Sequence, residues 1–237
     1  MRHDLAVANV TVLDREIYDE VLASQILRVP QSTLHWWLEG GERRGRQYEP
    51  VLRVAPTGSR TVTWGEFVEA RYLREYRRKL LVPLPELRAF IAVLREKVGV
   101  TYPLATARPW VGPGRRLLLE AEREAGLDPD LWPCVEPATG AVPLLLPGAQ
   151  AFYDRVEFED AEDGVALRVW PLGRHERLVI DPTVRFGQPA IKGIPTEALA
   201  GQVRAGDSIE AVAEDFDLSL DDVMAALRYE QAEEVAA

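Results

Sequence analysis

The sequence predicts an α+β fold: an N-terminal winged helix-turn-helix, a β-rich connection, and a C-terminal β-arm followed by a trihelical, helix-turn-helix-like domain. Three observations carry this. Two short helical patterns near the N-terminus are parted by a turn at Val29-Pro30. A turn-rich β pattern over Leu178–Pro195 runs into three further short helical patterns. Between them, proline and glycine interrupt the periodicity of residues 99–148. The domains expected are residues 1–100, a connection over 101–176, and 177–237.

Taken in order, Glu16–Leu27 reads as one helix with Ile17, Val21 and Ile26 on its buried side. After the Val29-Pro30 turn, a second helix begins at Gln31 and is stopped by Gly40-Gly41. Leu34, Trp37 and Leu38 fall at i, i+3, i+4 and face the core, which turns Gln31, Ser32, His35 and Trp36 outward. Tyr48–Val54 and Arg60–Thr63 read as strands joined by Ala-Pro-Thr-Gly-Ser, predicting a hairpin wing over 48–63. Glu66–Lys79 is a basic amphipathic helix, and Leu84–Val98 is another with Leu87, Ile91 and Leu94 as its stripe.

The middle segment reads as irregular or β-rich, with Leu117-Leu118-Leu119 and Leu144-Leu145-Leu146 as short buried strands. Val165–Trp170 returns as a strand after an acidic turn ending in Asp163-Gly164, which predicts a hairpin. The C-terminal arm opens with the strand Leu178-Val179-Ile180 and a turn at Asp181-Pro182. A second short run lies between Gly187 and Gly193, and Pro195 sits in the first turn of a helix. Ser208 and Ser219 are the start signals of the last two helices, with Asp221 and Asp222 in the first turn of the final one.

No catalytic constellation emerges. A two-metal site needs carboxylates converging from different elements, whereas Glu157, Glu159, Asp160, Glu162 and Asp163 are near-consecutive on one turn. His3, His35 and His175 stand apart from Cys134, so no zinc spacing exists, and Cys134 in its Pro-rich loop reads as a buried inert thiol. The expectation is a non-enzyme without cofactor or metal. One cysteine excludes a disulfide framework and fits a reducing cytoplasm, and neither a signal peptide nor a membrane span is visible.

The net charge of −10 is unevenly spread. Arg28–Arg88 holds twelve bases against seven acids, whereas residues 207–237 hold one base against ten acids. A basic front half and an acidic tail suit two different partners.

Residues 16 to 80 resemble the winged helix-turn-helix of MerR-type proteins, whose second helix enters the major groove. Here His35-Trp36 stands where such proteins often carry Arg. The resemblance implies operator DNA as a partner, with Gln31, Ser32, His35 and Trp36 at the bases and Arg28, Arg43, Arg44, Arg46, Arg53 and Arg60 at phosphates. The arm and last helices resemble a family of short bacterial antitoxin domains of the VapB type. The matching residues are Asp181-Pro182, Phe186-Gly187-Gln188-Pro189, Ile191-Lys192-Gly193, Ile194-Pro195, Ala205-Gly206-Asp207-Ser208 and Ala225-Ala226-Leu227-Arg228-Tyr229. That resemblance implies a PIN-like (VapC-type) ribonuclease toxin as partner. Apolar anchors should carry most of that affinity: Phe186, Ile191 and Ile194 are the candidates, each equally readable as core, with Glu210, Glu214 and Asp217 setting the on-rate. The function expected is a type II antitoxin that also represses its own operon, as a homodimer on half-sites ~34 Å apart. The alternative is a stand-alone transcriptional regulator whose rear domain dimerises or senses a ligand.

Overall fold

The computed structural model describes residues 12–79, 81–137, 141–161 and 163–234, so His3 and Glu162 lie outside the described residues. Helices and small antiparallel sheets are interleaved along the chain, an α+β architecture. The chain divides into two compact units, one running to Tyr153 and including Phe158–Ala166, the other made of Asp154–Glu157 and the residues from Leu167 onward. Among the described residues no helix is long and apolar enough to cross a membrane.

The first unit opens with β1 (Glu16–Asp19) and α1 (Glu20–Leu27), which corrects the single helix expected over 16–27. Asp19 is the reason. In extended backbone, it accepts a hydrogen bond from the Leu22 amide at 2.7 Å and caps α1 there, so Val21 points out rather than in. After a left-handed C-cap at Arg28, α2 (Gln31–Glu39) buries Leu34, Trp37 and Leu38 as the heptad spacing requires. β2 (Gly41–Arg43) and β3 (Arg46–Tyr48) then form a tight hairpin, with Arg44 and Gly45 both left-handed at φ 55° and 71° as a two-residue hairpin turn demands. A Cβ on Gly40 would lie 2.2 Å from the Tyr48 carbonyl oxygen, so only glycine lets α2 run this closely into the hairpin.

The hairpin therefore spans 41–48 and not 48–63. Val51 and Leu52 are buried and donate their amides to the Trp37 carbonyl, while β4 (Thr61–Thr63) pairs antiparallel with β1. Behind them, α3 (Trp64–Lys79) is the axis of the unit, burying Trp64, Phe67, Val68, Tyr72, Leu73 and Tyr76. Tyr72 stacks on Tyr76 with centroids 4.4 Å apart and meets Phe152 edge-on at 5.0 Å. α4 (Leu84–Val98) packs its Leu87, Ile91 and Leu94 stripe inward, against α5 (Arg115–Ala125). α5 corrects the strand expected at Leu117-Leu118-Leu119: its eleven residues are almost all strong helix formers, and Gly126 ends it in the left-handed region. α6 (Pro147–Arg155) is masked in the sequence because Pro147-Gly148, which reads as a turn, is its first turn. Between them, β5 (Cys134–Val135) pairs with β6 (Leu144–Leu145), but Leu144 is exposed where burial was expected. β7 (Val156–Phe158) and β8 (Ala166–Val169) are the two strands of the expected hairpin.

In the second unit, Val169 and Ile180 exchange backbone hydrogen bonds of 2.8 and 2.9 Å. β9 (Leu178–Val179), β10 (Ala190–Ile191) and β11 (Ile194–Pro195) form a three-stranded antiparallel sheet with β10 central. Three helices follow: α7 (Thr196–Ala205), α8 (Ile209–Asp215) and α9 (Leu220–Glu234). Ser208 caps α8 by accepting from Ala211, and Ser219 and Asp222 cap α9 reciprocally, each side chain accepting from the other's amide at 3.2 and 3.1 Å. Leu178, Ile191, Leu199, Val212, Val223, Ala226 and Tyr229 close the core between arm and helices.

Candidate nucleic-acid and partner interfaces

Each unit carries one surface that its core does not explain. In the first unit this is the outer face of α2 with the β2–β3 hairpin. Gln31 and Ser32 are exposed at the N-terminal end of α2, where amides point out of the helix. His35 and Trp36, half-buried, are held rather than free. His35 Nδ1 lies 2.8 Å from a carboxylate oxygen of Glu20, whose other oxygen accepts from Arg60 at 2.8 Å. Trp36 packs against Tyr48 with ring centroids 5.7 Å apart, and the Arg46 guanidinium lies over the other ring at 5.4 Å. Arg43, Arg44 and Arg46 crowd the exposed turn of the hairpin. Arg60 is exposed, and Arg28 is half-buried at the end of α1.

Arg53 does not belong to this surface. It is buried, its guanidinium donating to Glu39, to Glu66 at 2.7 Å, to Thr57 at 2.7 Å and to the Thr61 carbonyl at 2.7 Å. Phosphate contact is corrected to a structural role for this residue, because all of its donors are consumed inside the unit. Burial pushes the Glu39 carboxyl up, but amide and hydroxyl hydrogen bonds from Gly58 and Thr57, with Arg53, outweigh it and hold it below the usual range. Glu20 behaves likewise, burial being outweighed by His35 and Arg60. Neither glutamate was singled out in the sequence, since their partners lie 14 to 40 residues away and no local spacing marks them.

Two further buried carboxylates lie on α3 and α5. Burial pushes Glu69 up to about 8 despite Arg95 at 3.8 Å and the Leu104 amide. It pushes Glu122 up to about 7, and Glu122 accepts from the Cys134 thiol at 3.2 Å. Cys134 is buried and its thiol is raised by the same burial. Of the acidic turn, Glu157 is bound to Arg168 at 3.1 Å and to the Trp170 indole at 3.2 Å.

In the second unit most of the motif is structural. Asp181 is buried and accepts from the Thr183 amide and hydroxyl at 2.8 and 2.6 Å and from Arg168 at 2.6 Å. These bonds overcome burial and hold its carboxyl below the usual range. The Pro189 carbonyl accepts from the Thr196 amide at 2.9 Å, fixing α7 to the arm, and Thr196 is also bonded to Glu230 of α9. Ile191 is wholly inside the core, which corrects its expected place among the partner anchors: it is spent on packing. Ile194 is half-buried against the same core. Phe186 stands 82% exposed, and Glu210, Glu214 and Asp217 are exposed on α8 and in the turn after it.

Residues 178–229 match the family described as Protein of unknown function (DUF433). The whole chain is 34% identical over 233 residues to the uncharacterized protein Rv2308 of Mycobacterium tuberculosis, covering 97% of this chain and 95% of that one. It is 28% identical over 227 residues to the M. tuberculosis protein named "Putative antitoxin VapB45", covering 90% and 93% of the two chains. The X-ray crystal structure of Rv2018 from M. tuberculosis superposes with a TM-score of 0.69 at 27% identity, covering 91% of this chain and 99% of that chain.

Proposed function

We propose a function from the premise that this chain belongs to the family of the M. tuberculosis protein Rv2308: it is the antitoxin of a type II toxin–antitoxin pair, a non-catalytic protein that neutralises a PIN-like ribonuclease and represses its own operon. The observation that carries the reading is the full-length similarity to the protein named as an antitoxin, which spans both units and not only the arm and last helices.

The division of labour follows the charge. The front unit, with a helix-turn-helix succession α1–α2 and the arginine-bearing β2–β3 hairpin as its wing, would hold the operator. Gln31 and Ser32 are the free base readers, His35 and Trp36 shape the helix face, and Arg43, Arg44, Arg46 and Arg60 take phosphates. The rear unit, with its acidic α8–α9 surface, would hold the nuclease, whose RNA-binding surface must be cationic. Two half-sites call for a homodimer on DNA.

Co-expression decides this. A PIN-like ribonuclease should be encoded beside the gene, and it should arrest growth alone, be neutralised by this chain, and co-purify with it. A nuclease that stays toxic and unbound in the presence of the intact chain overturns the reading.

A further inference from the structure

Val184–Gly187 is a strained stretch of the second unit in which the Val184, Arg185 and Phe186 side chains are exposed. Arg185 and Phe186 both adopt left-handed backbone, at φ 49° and 55°, followed by Gly187 at 70°. A non-glycine residue rarely sits there, and an aromatic one less often than Asn or Asp. A strained conformation normally persists because packing over-determines it. Here the Phe186 ring is 82% exposed and Val184 beside it 39% exposed, so packing of these side chains is not the reason.

The backbone below is held by hydrogen bonds instead. Asp181 anchors the turn through Thr183 and Arg168, and three successive turns follow: Val184 donates to the Asp181 carbonyl, Gly187 to Val184 and Gln188 to Arg185, at 3.0 to 3.1 Å. The tip also carries exposed cations on a domain that is acidic in sum. Arg185 donates to the Gly193 carbonyl at 3.0 Å and Lys192 to the Asp217 carbonyl at 2.8 Å, and both are exposed. Through Lys192 the tip adjoins the turn between α8 and α9, where the acidic surface begins.

We infer that the Val184–Phe186 tip is a pre-formed anchor for the protein partner, Phe186 entering an apolar pocket of the nuclease that is rimmed by carboxylates facing Arg185 and Lys192. This rests on the antitoxin reading and deepens it. A metal-dependent ribonuclease displays both signs of charge, cations for the RNA backbone and carboxylates for its metal ions, so a bipolar surface with an aromatic at its cationic end is complementary to it. A rigid aromatic presented in its bound conformation is the kind of residue that concentrates binding energy.

The full chain carrying Phe186→Asn tests this against the nuclease encoded beside the gene, by titration calorimetry and thermal unfolding of the free chain. Asn tolerates the left-handed region, so the unfolding midpoint should stay within ~2 °C of the wild type or rise. Affinity should fall at least ~30-fold, Phe186→Tyr should restore it, and Arg185→Glu should weaken it further. A midpoint that drops by more than this shows Phe186 to be a packing residue and overturns the inference. So does an Asn variant that binds the nuclease as the wild type does, while the antitoxin reading survives. A wild-type chain that does not bind at all removes both. Two other outcomes also reject the inference: loss of affinity confined to a short single-stranded RNA makes the tip a base-stacking site, and a fall in the mass of the free chain makes it a contact between copies.

Discussion

The buried carboxylate of Glu20, the first residue of α1, sits 2.8 Å from the ring Nδ1 of His35 on α2. It ties the two helices of the front unit at a fixed angle, and through its second oxygen adds Arg60 beside β4. A residue placed on the outer face of α2 is thereby oriented from within.

Replacing Glu20 by Gln should destabilise the chain by about 1–2 kcal/mol, since it leaves a charged arginine and a histidine competing for a neutral amide. The sign with pH follows from the lowered carboxyl: its contribution is present above the ordinary Glu range near 4.5 and is lost as pH falls through the folded value. Urea midpoints of wild type and Glu20→Gln should therefore converge in acid and separate toward neutrality. Parallel pH profiles count against the linkage.

Arg53 and Arg44 provide an internal contrast. Arg53→Ala abandons the buried carboxylates of Glu39 and Glu66 and should cost about 3–5 kcal/mol. Arg44→Ala, on the exposed hairpin turn, should stay within about 0.5 kcal/mol. Chemical denaturation of the two variants checks the ranking.

Binding to the upstream region should fall steeply with salt, with a log–log slope of roughly −0.9 per phosphate neutralised. Changing Arg43, Arg44 and Arg46 together to Ala should weaken binding to all sequences alike and flatten that slope. Replacing Gln31 should relax sequence preference instead. Fluorescence anisotropy over a salt series reads both, and an affinity indifferent to salt removes the front unit from DNA.

Glu69 runs opposite to Glu20. Its folded value is raised to about 8, so the folded chain holds a proton that the unfolded chain has released, and stability falls as pH climbs from about 5 to about 8. Glu69→Gln should remove its share of that decline and leave that of Glu122, whose carboxyl is raised to about 7, so the variant's loss of stability across this interval should be smaller than the wild type's. An unchanged decline assigns it to other groups.

How much of this was legible depended on sequence distance. The α4 limits and its Leu87–Ile91–Leu94 stripe, the inward Leu34–Trp37–Leu38 face, and the caps at Ser208 and Ser219 follow from residues within one or two turns of each other. α5 is masked by the glycines and proline on either side of good helix formers, and α6 by Pro147-Gly148, which read as a break but form its first turn.

The sequence alone determined the inward face of α2, the three helices that follow the arm, the polarity of charge, and the motif of the last fifty residues, because each is written in neighbours along the chain. Tertiary structure decided the partners. Only folding could show that β4 returns to β1 and leaves the hairpin to residues 41–48, or that Arg53 turns inward to Glu39 and Glu66 while Arg44 remains in solvent. It also decided that Ile191 is consumed by the core while Phe186, five residues earlier, is left outside. The physical reason is common to all: a side chain's burial and its ion-pair partner are set by what the fold brings within a few ångströms, and residue type fixes only what it can do on arrival.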